Sequence, residues 1–265
     1  MIGNMLPELG RIGPIVIRSY SLMLDLAILI GLGALAWHGG RAEDRHTRWL
    51  DAGLVAVIAG LVGGRLEHVL IHWGYFADHS AEIPQFWLGG LEWHLAVIFG
   101  LIALAAGCRA WKINFRQAVD VIGLIAPVAA ALIFGGCWLS ACGYGQEVDS
   151  LADYPRFVAA ELPDMYGIVA PRLNTQVFGI VAGLILTGVA VVLARRIHRS
   201  GTHFWIILAL LAATLFALGA LRGDPIPMVG VFRLDQLLDL GVTAVALAGL
   251  YFSLRQPARA EPHKG

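Results

Sequence analysis

The chain has 265 residues, of which 58% are hydrophobic and 14% are charged, and its mean hydropathy is +0.71. Soluble domains carry roughly 25% charged residues, so this composition excludes an ordinary water-soluble globular protein. The formal net charge of zero gives no electrostatic reason to expect nucleic acid as a partner.

Seven apolar windows follow one another along the chain, and each approaches the roughly 20 apolar residues that a membrane-spanning helix needs. In order they cover roughly 17–38, 51–72, 89–107, 118–138, 174–194, 204–221 and 234–254. They predict an all-α integral membrane protein with about seven transmembrane helices, in a single polytopic domain over 1–265. The long connection 139–172 is predicted to be a loop, and 255–265 a disordered tail.

Basic residues are distributed unevenly between the connections. Lys and Arg mark cytoplasmic loops, so the connections rich in them are predicted to lie inside. The N-terminus and the loop 139–172 are then outside, and the C-terminus is cytoplasmic. The twelve basic residues assigned to the inner side are Arg41, Arg45, Arg48, Arg109, Lys112, Arg116, Arg195, Arg196, Arg199, Arg255, Arg259 and Lys264.

The chain has three cysteines, Cys108, Cys137 and Cys142. Two interpretations stay open for the last two, which lie near one end of a predicted span. They are small packed thiols, or they form a disulfide on the oxidising face of the membrane. Their spacing is not that of a zinc knuckle, and no metal or nucleotide motif appears, so the sequence predicts no cofactor.

Polar and charged residues occur within or beside three of the predicted spans, although a charge at membrane depth is costly. Most of them fall in the outer half of their helices, which favours a polar chamber that opens toward the outer leaflet. Arg65 and His68 are three residues apart and so share a helix face. The full set is Arg65, Glu67, His68, Glu92, His94, Arg233, Asp235, Gln236 and Asp239.

Structural roles are an alternative for these residues. Arg65 can pair with Glu67 or Glu92 and hold helices together without contacting a substrate. His94 stands beside Trp93 and can belong to an aromatic belt at the membrane interface.

Six segments occur in the order and spacing of the motifs of a known family. The sequence resembles the prolipoprotein diacylglyceryl transferase family from about residue 12 to residue 254. No single segment is specific, but six in order are. The segments are 12–23 (IGPIVIRSYSLM), 63–66 (GGRL), 89–94 (GGLEWH), 171–178 (PRLNTQVF), 222–224 (RGD) and 235–238 (DQLL).

The resemblance implies an enzyme of the bacterial inner membrane. It would transfer a diacylglyceryl group from phosphatidylglycerol to the lipobox cysteine of prolipoproteins, and it would contact other membrane lipids as well. The motif positions imply that His94 and Tyr20 are catalytic. They imply substrate binding by Arg65, Arg222, Glu92 and Gln236.

This assignment fits the chemistry, because an imidazole such as His94 can deprotonate a thiol near neutral pH and arginine binds a leaving phosphate with two parallel hydrogen bonds.

The chain also departs from the family's central signature, Gly-Arg-x-Gly-Asn-Phe-x-Asn-Gly-Glu. Phe134 stands at the arginine position, and the family's second essential arginine falls near Leu215. Cys137 and Cys142 stand at the positions of an asparagine and the glutamate. These differences leave an alternative open, a divergent paralogue with another lipid-dependent transfer or a non-catalytic role in binding lipids or a partner.

Overall fold

A computed structural model describes residues 6–13, 15–43, 46–86 and 89–255. Seven helices in these ranges are long and apolar enough to cross a membrane, which confirms the predicted fold class. Pro14, Arg45 and the predicted tail beyond Arg255 lie outside the described residues. The helices are α1 Ser19–Glu43, α2 His46–Ile71, the short α3 Trp73–Phe76, α4 Trp93–Ala110, α5 Phe115–Ser140, α6 Thr175–Arg196, α7 Thr202–Gly219 and α8 Leu234–Arg255.

Three antiparallel hairpins lead directly into helices. The strands β1 Glu8–Ile12 and β2 Ile15–Arg18 precede α1, and β3 Ala159–Pro163 and β4 Val169–Leu173 precede α6. The two-residue strands β5 Met228–Val229 and β6 Phe232–Arg233 precede α8. If successive spans cross the bilayer in alternating directions, α1, α6 and α8 start on the same side, so all three hairpins lie on that side.

Glycines allow the closest helix contact. A Cβ at Gly63 would lie 2.4 Å from the carbonyl oxygen of Leu95, and one at Gly64 would lie 2.7 Å from that of Glu92. Only glycine permits α2 and α4 to approach this closely, as in other membrane helix pairs. Other extensive helix contacts join α1 to α5, α5 to α6 and α7 to α8, and smaller ones join α1 to α2, α5 to α7 and α6 to α7.

The third membrane-spanning helix, α4, begins later than the apolar window suggests. The window opens at residue 89, but α4 starts at Trp93. Gly89 and Gly90 have φ angles of +98° and +73°, which are incompatible with a right-handed helix. The segment before α4 is therefore an irregular connection, and it carries Glu92 to the edge of a cavity.

Candidate active site

A cavity of about 1420 Å³ lies between α1, α2, α4, α5 and α7. Its walls are mostly apolar along these helices, and its polar side chains come from the helix ends and the connections between them. Met165 and Tyr166, from the turn between β3 and β4, also line it. The polar and charged residues of its lining include Arg18, Tyr20, His68, His72, Glu92, Arg222 and Asp224.

His94 lies outside this cavity, in a buried cluster of charges. Its Nδ1 is 2.7 Å from Oε1 of Glu67, and its Nε2 is 2.9 Å from Oδ1 of Asp239. The carboxylates accept further hydrogen bonds, Glu67 from the backbone of Leu95 and Asp239 from the indole of Trp93. All three charged side chains are at most 5% exposed.

The role of His94 as the thiol base stays a prediction, and this geometry adds a structural role beside it. When both carboxylates are ionised they only accept hydrogen bonds, so both ring nitrogens donate and the ring is an imidazolium. An imidazolium has no lone pair with which to take a proton. In this conformation His94 instead neutralises two buried carboxylates and joins α4 to α2 and α8.

Arg65, which was expected to bind substrate, also makes its contacts within the protein. Its guanidinium pairs with neither Glu67 nor Glu92. It donates to the backbone carbonyls of Glu82, Ile83, Gly89 and Gly90, at 2.6 to 3.3 Å. Its side chain does not line the large cavity among the described residues. The contacts show that Arg65 fixes the connection between α3 and α4, and they give no support to a direct phosphate contact.

Glu92 pairs with a histidine that the motif comparison did not select. Oε1 of Glu92 is 3.1 Å from Nδ1 of His68, and both side chains line the cavity. Burial opposes ionisation of Glu92, but the bond with His68 and the nearby Arg222 outweigh it. The pKa of the Glu92 carboxyl therefore lies below its usual value, and the group is an anion at neutral pH.

Arg222 is the cation that the structure places between the cavity and the charge cluster. Its Nε and Nη2 donate to the two carboxylate oxygens of Asp224, at 2.8 and 2.5 Å. Its Nη1 lies 3.7 Å from Asp235. Burial opposes the charged form, but the bond to Asp224 and the neighbouring carboxylates outweigh it and raise the pKa of the guanidinium. Arg222 therefore stays cationic, and Nη1 is the guanidinium nitrogen with the longest contact.

Tyr20 and Gln236, the two remaining candidates, lie in different parts of the structure. Tyr20 lines the cavity, and its backbone N–H donates to Oγ of Ser140. Gln236 is buried away from the cavity, where it accepts from the backbone of Arg233 and donates to the carbonyl of Phe216. Both ends of its amide are thus used within the protein, which argues for a structural role.

The two positions that lack the family's arginines lie together. Phe134 and Leu215 line both the large cavity and a second cavity of about 40 Å³, which also borders His94. The ring of Phe134 fills the space where a Cβ of Gly179 would be, at 2.3 Å. These apolar side chains lie between the large cavity and the buried charges.

Cys137 and Cys142 form a disulfide, which decides between the two open interpretations. Both residues line the cavity at the C-terminal end of α5. The following backbone is held by α6, because Gln176 donates to the carbonyl of Cys142 and Thr175 donates to that of Gly143. The motif at the start of α6 thus positions the cavity wall.

Four of the residues that shape the site were not among the sequence candidates: Glu67, His68, Asp224 and Asp239. A signal for three of them was present, because Glu67, His68 and Asp239 are charged or titratable residues within apolar helices. Their pairing was not readable, since the partners are 24 to 145 residues apart in the chain.

Comparisons with known proteins agree with the motif resemblance. The sequence model of prolipoprotein diacylglyceryl transferase matches residues 7–252. The phosphatidylglycerol–prolipoprotein diacylglyceryl transferase of Symbiobacterium thermophilum is 31% identical over 98% of this chain and 97% of its own length. The enzymes of the same name from Nostoc sp. and Acaryochloris marina are 25% and 26% identical, over 92% and 94% of this chain and 88% and 92% of theirs.

Proposed function

We propose a reaction path from one premise, that this chain belongs to the prolipoprotein diacylglyceryl transferase family. It is a multi-pass membrane transferase that uses phosphatidylglycerol as the donor and a prolipoprotein as the acceptor. The observation that carries the path is the large cavity, which joins an apolar interior to a group of polar and charged side chains.

The cavity suits a two-chain anionic lipid. Acyl chains fit against the apolar walls formed by α1, α4 and α5, and the headgroup then lies beside Arg222 and Tyr20. Arg222 is held by Asp224 through Nε and Nη2, and Nη1, at 3.7 Å from Asp235, can donate to a phosphate. Tyr20 can donate its hydroxyl to the same headgroup.

The reaction is a displacement at carbon. The acceptor thiol must lose its proton, because the thiolate is the nucleophile and a free cysteine has a pKa near 8.5. The sulfur attacks the terminal CH₂ of the diacylglyceryl group, and the C–O bond to phosphate breaks. A thioether forms and glycerol phosphate leaves. Arg222 stabilises the charge that develops on the leaving phosphate.

The membrane in question is the bacterial inner membrane, and the hairpin side of the protein faces outward. The opposite ends of the helices carry Arg41, Arg109, Arg195 and Arg255, as expected for the cytoplasmic side. The disulfide lies at the other end of α5, where an oxidising compartment would maintain it. The acceptor peptide would therefore enter from the outer face.

A transfer assay with the purified full chain tests this function. Phosphatidylglycerol micelles and a synthetic lipobox peptide should give a peptide that has gained one diacylglyceryl group by mass spectrometry. Arg222→Gln should lower the rate about 100-fold by removing charge stabilisation of the leaving group. Arg156→Gln, at an exposed position of the outer loop, is the matched control. Binding of the lipid without any transfer would instead favour a non-catalytic paralogue.

A further inference from the structure

His68 presents its two ring nitrogens to different surroundings. Nδ1 faces Oε1 of Glu92 at 3.1 Å, and both side chains line the large cavity. Because an ionised carboxylate only accepts, Nδ1 donates to Glu92, and in the neutral tautomer that this bond selects Nε2 has a lone pair. Nε2 makes no hydrogen bond with any other residue in the described ranges.

Gly90 lies against the Nε2 edge of the ring. Its φ of +73° is a glycine conformation, and a Cβ built there would lie 2.6 Å from both Cδ2 and Nε2 of His68 and 2.7 Å from Nη1 of Arg65. Any larger residue would therefore cover the nitrogen or displace the ring. Gly90 also lines the cavity, so this edge of the ring lies beside the space that substrates would occupy.

The contrast with His94 favours His68 as the proton acceptor. His94 has a carboxylate on each nitrogen and does not line the large cavity, whereas His68 lines it and has a carboxylate on one nitrogen only. A carboxylate that holds one nitrogen of a ring while the other acts on a substrate is a common arrangement for a general base. The side chain of His68 is 22% exposed, which leaves it open to a reactant.

We propose that His68, oriented by Glu92, accepts the proton of the acceptor cysteine thiol. The inference rests on the proposed transferase function and assigns its missing base. Glu92 is also within electrostatic reach of Arg222, so one carboxylate stands between the proton acceptor and the cation for the leaving group. His68 is the catalytic residue of the pair, and Glu92 is a positioning residue.

The proton and electron pairs balance across the step. The thiol proton passes to Nε2 of His68, and the thiolate sulfur bonds to the terminal carbon of the diacylglyceryl group. The C–O bond breaks, and its electron pair leaves with glycerol phosphate as a dianion. The imidazolium then returns the proton to that phosphate, and His68 is neutral for the next turnover.

The test compares two acceptor peptides that differ in one atom. The full chain in phosphatidylglycerol micelles is given a lipobox peptide with cysteine, or the same peptide with selenocysteine, whose selenol is already ionised at neutral pH. His68→Gln should slow transfer to the cysteine peptide at neutral pH by about 10² to 10⁴-fold, the usual contribution of a general base. It should leave transfer to the selenocysteine peptide within a few-fold of the wild-type rate.

Two further variants make the test specific. His79→Gln is the matched control, because His79 lies in the connection between α3 and α4 and does not line the cavity, and it should match the wild type with both peptides. Glu92→Gln should lower kcat for the cysteine peptide by about tenfold or more with little change in the KM for lipid. The selenocysteine peptide should again restore its rate, which a purely structural role would not produce.

The outcomes separate the base from the overall function. A wild-type rate for His68→Gln with the cysteine peptide would overturn the role of His68. So would an equal loss with both peptides in a variant that unfolds at the wild-type temperature. If His68→Gln does not fold, Glu92→Gln decides by the same two criteria. No transfer to either peptide by the wild-type chain would overturn the transferase function itself, and this role with it.

Discussion

His94 shows how the surroundings of one residue change its expected chemistry. Its ring lies between Glu67 and Asp239, so its charge balances two buried anions. His94→Ala should therefore lower the free energy of unfolding by about 3–5 kcal/mol, as when one member of a buried ion pair is removed. Thermal unfolding in detergent measures this loss. His79→Ala, at an exposed histidine, should change stability very little.

The opposite result would favour His94 as the thiol base. A variant that folds with wild-type stability but transfers no lipid would show that the ring acts on the substrate and not on the fold. Adding Asp239→Asn to His94→Ala should recover part of the lost stability, because one of the stranded carboxylates is then neutral.

Asp224 makes stability depend on acid pH. Burial opposes its ionisation, but the bond with Arg222 outweighs it and holds the pKa of the carboxyl below its usual value. Such a group stabilises the fold fully above its unfolded pKa of about 3.9 and ceases to do so as the pH falls through the lower folded value. Asp224→Asn should therefore unfold at a lower temperature than the wild type at pH 6. On acidification below about pH 4 its unfolding temperature should fall less than that of the wild type.

Melting temperatures measured across that range test this dependence. Asp149→Asn removes an exposed carboxylate from the same side of the protein and should leave the acid dependence unchanged. Parallel acid curves for the wild type and Asp224→Asn would contradict the contribution of this pair.

At the scale of the elements, the disulfide fixes the end of α5. Cys137 and Cys142 close a short loop, for which the chain-entropy estimate of stabilisation is about 2 kcal/mol. Reductant should lower the unfolding temperature of the wild type, whereas Cys137→Ser/Cys142→Ser should start lower and not respond. Thiol titration of the denatured chain should find one free thiol, that of Cys108, and three after reduction.

An equal response of both proteins to reductant would mean that the effect arises elsewhere. A count of three thiols before reduction would show that the purified protein lacks the bond.

The helices were predictable from the sequence because the thickness of the bilayer sets their length, and the described part of the chain has the seven spans that the apolar windows indicate. The side-chain contacts between helices were not predictable from the sequence. His94 meets Asp239 across 145 residues, a distance at which hydropathy carries no information. Arg65 was expected to bind substrate or, as the alternative, to pair with a carboxylate, but its guanidinium donates to the carbonyls of the connection before α4. Side-chain type thus indicated where polar groups cluster but not which groups pair.

The whole molecule has an apolar exterior and a charged interior at one end. Leu29, Ile102 and Ile185 are each more than 60% exposed, as lipid-facing side chains of a bundle would be. Arg222, Glu92 and the His94 cluster lie where the irregular connections meet the helices. These connections and the hairpins contain the polar backbone that the bilayer interior excludes, so the site belongs at a membrane boundary.

The last prediction concerns which boundary this is. The hairpins and the disulfide lie at one end of the spans, and most of the arginines in short connections lie at the other. We expect Asp153→Cys to react with a membrane-impermeant maleimide on intact cells. Lys112→Cys, between α4 and α5, should react only after the membrane is opened. The native cysteines give little background, since Cys108 is buried and the other two are paired.

The reverse labelling pattern would place the cavity entrance on the cytoplasmic side. That orientation would set the basic ends of the helices against the usual charge bias of membrane insertion. It would also expose the disulfide to a reducing compartment. An outward-facing entrance satisfies both constraints, and it lets an exported prolipoprotein reach the cavity with its cysteine still at the membrane surface.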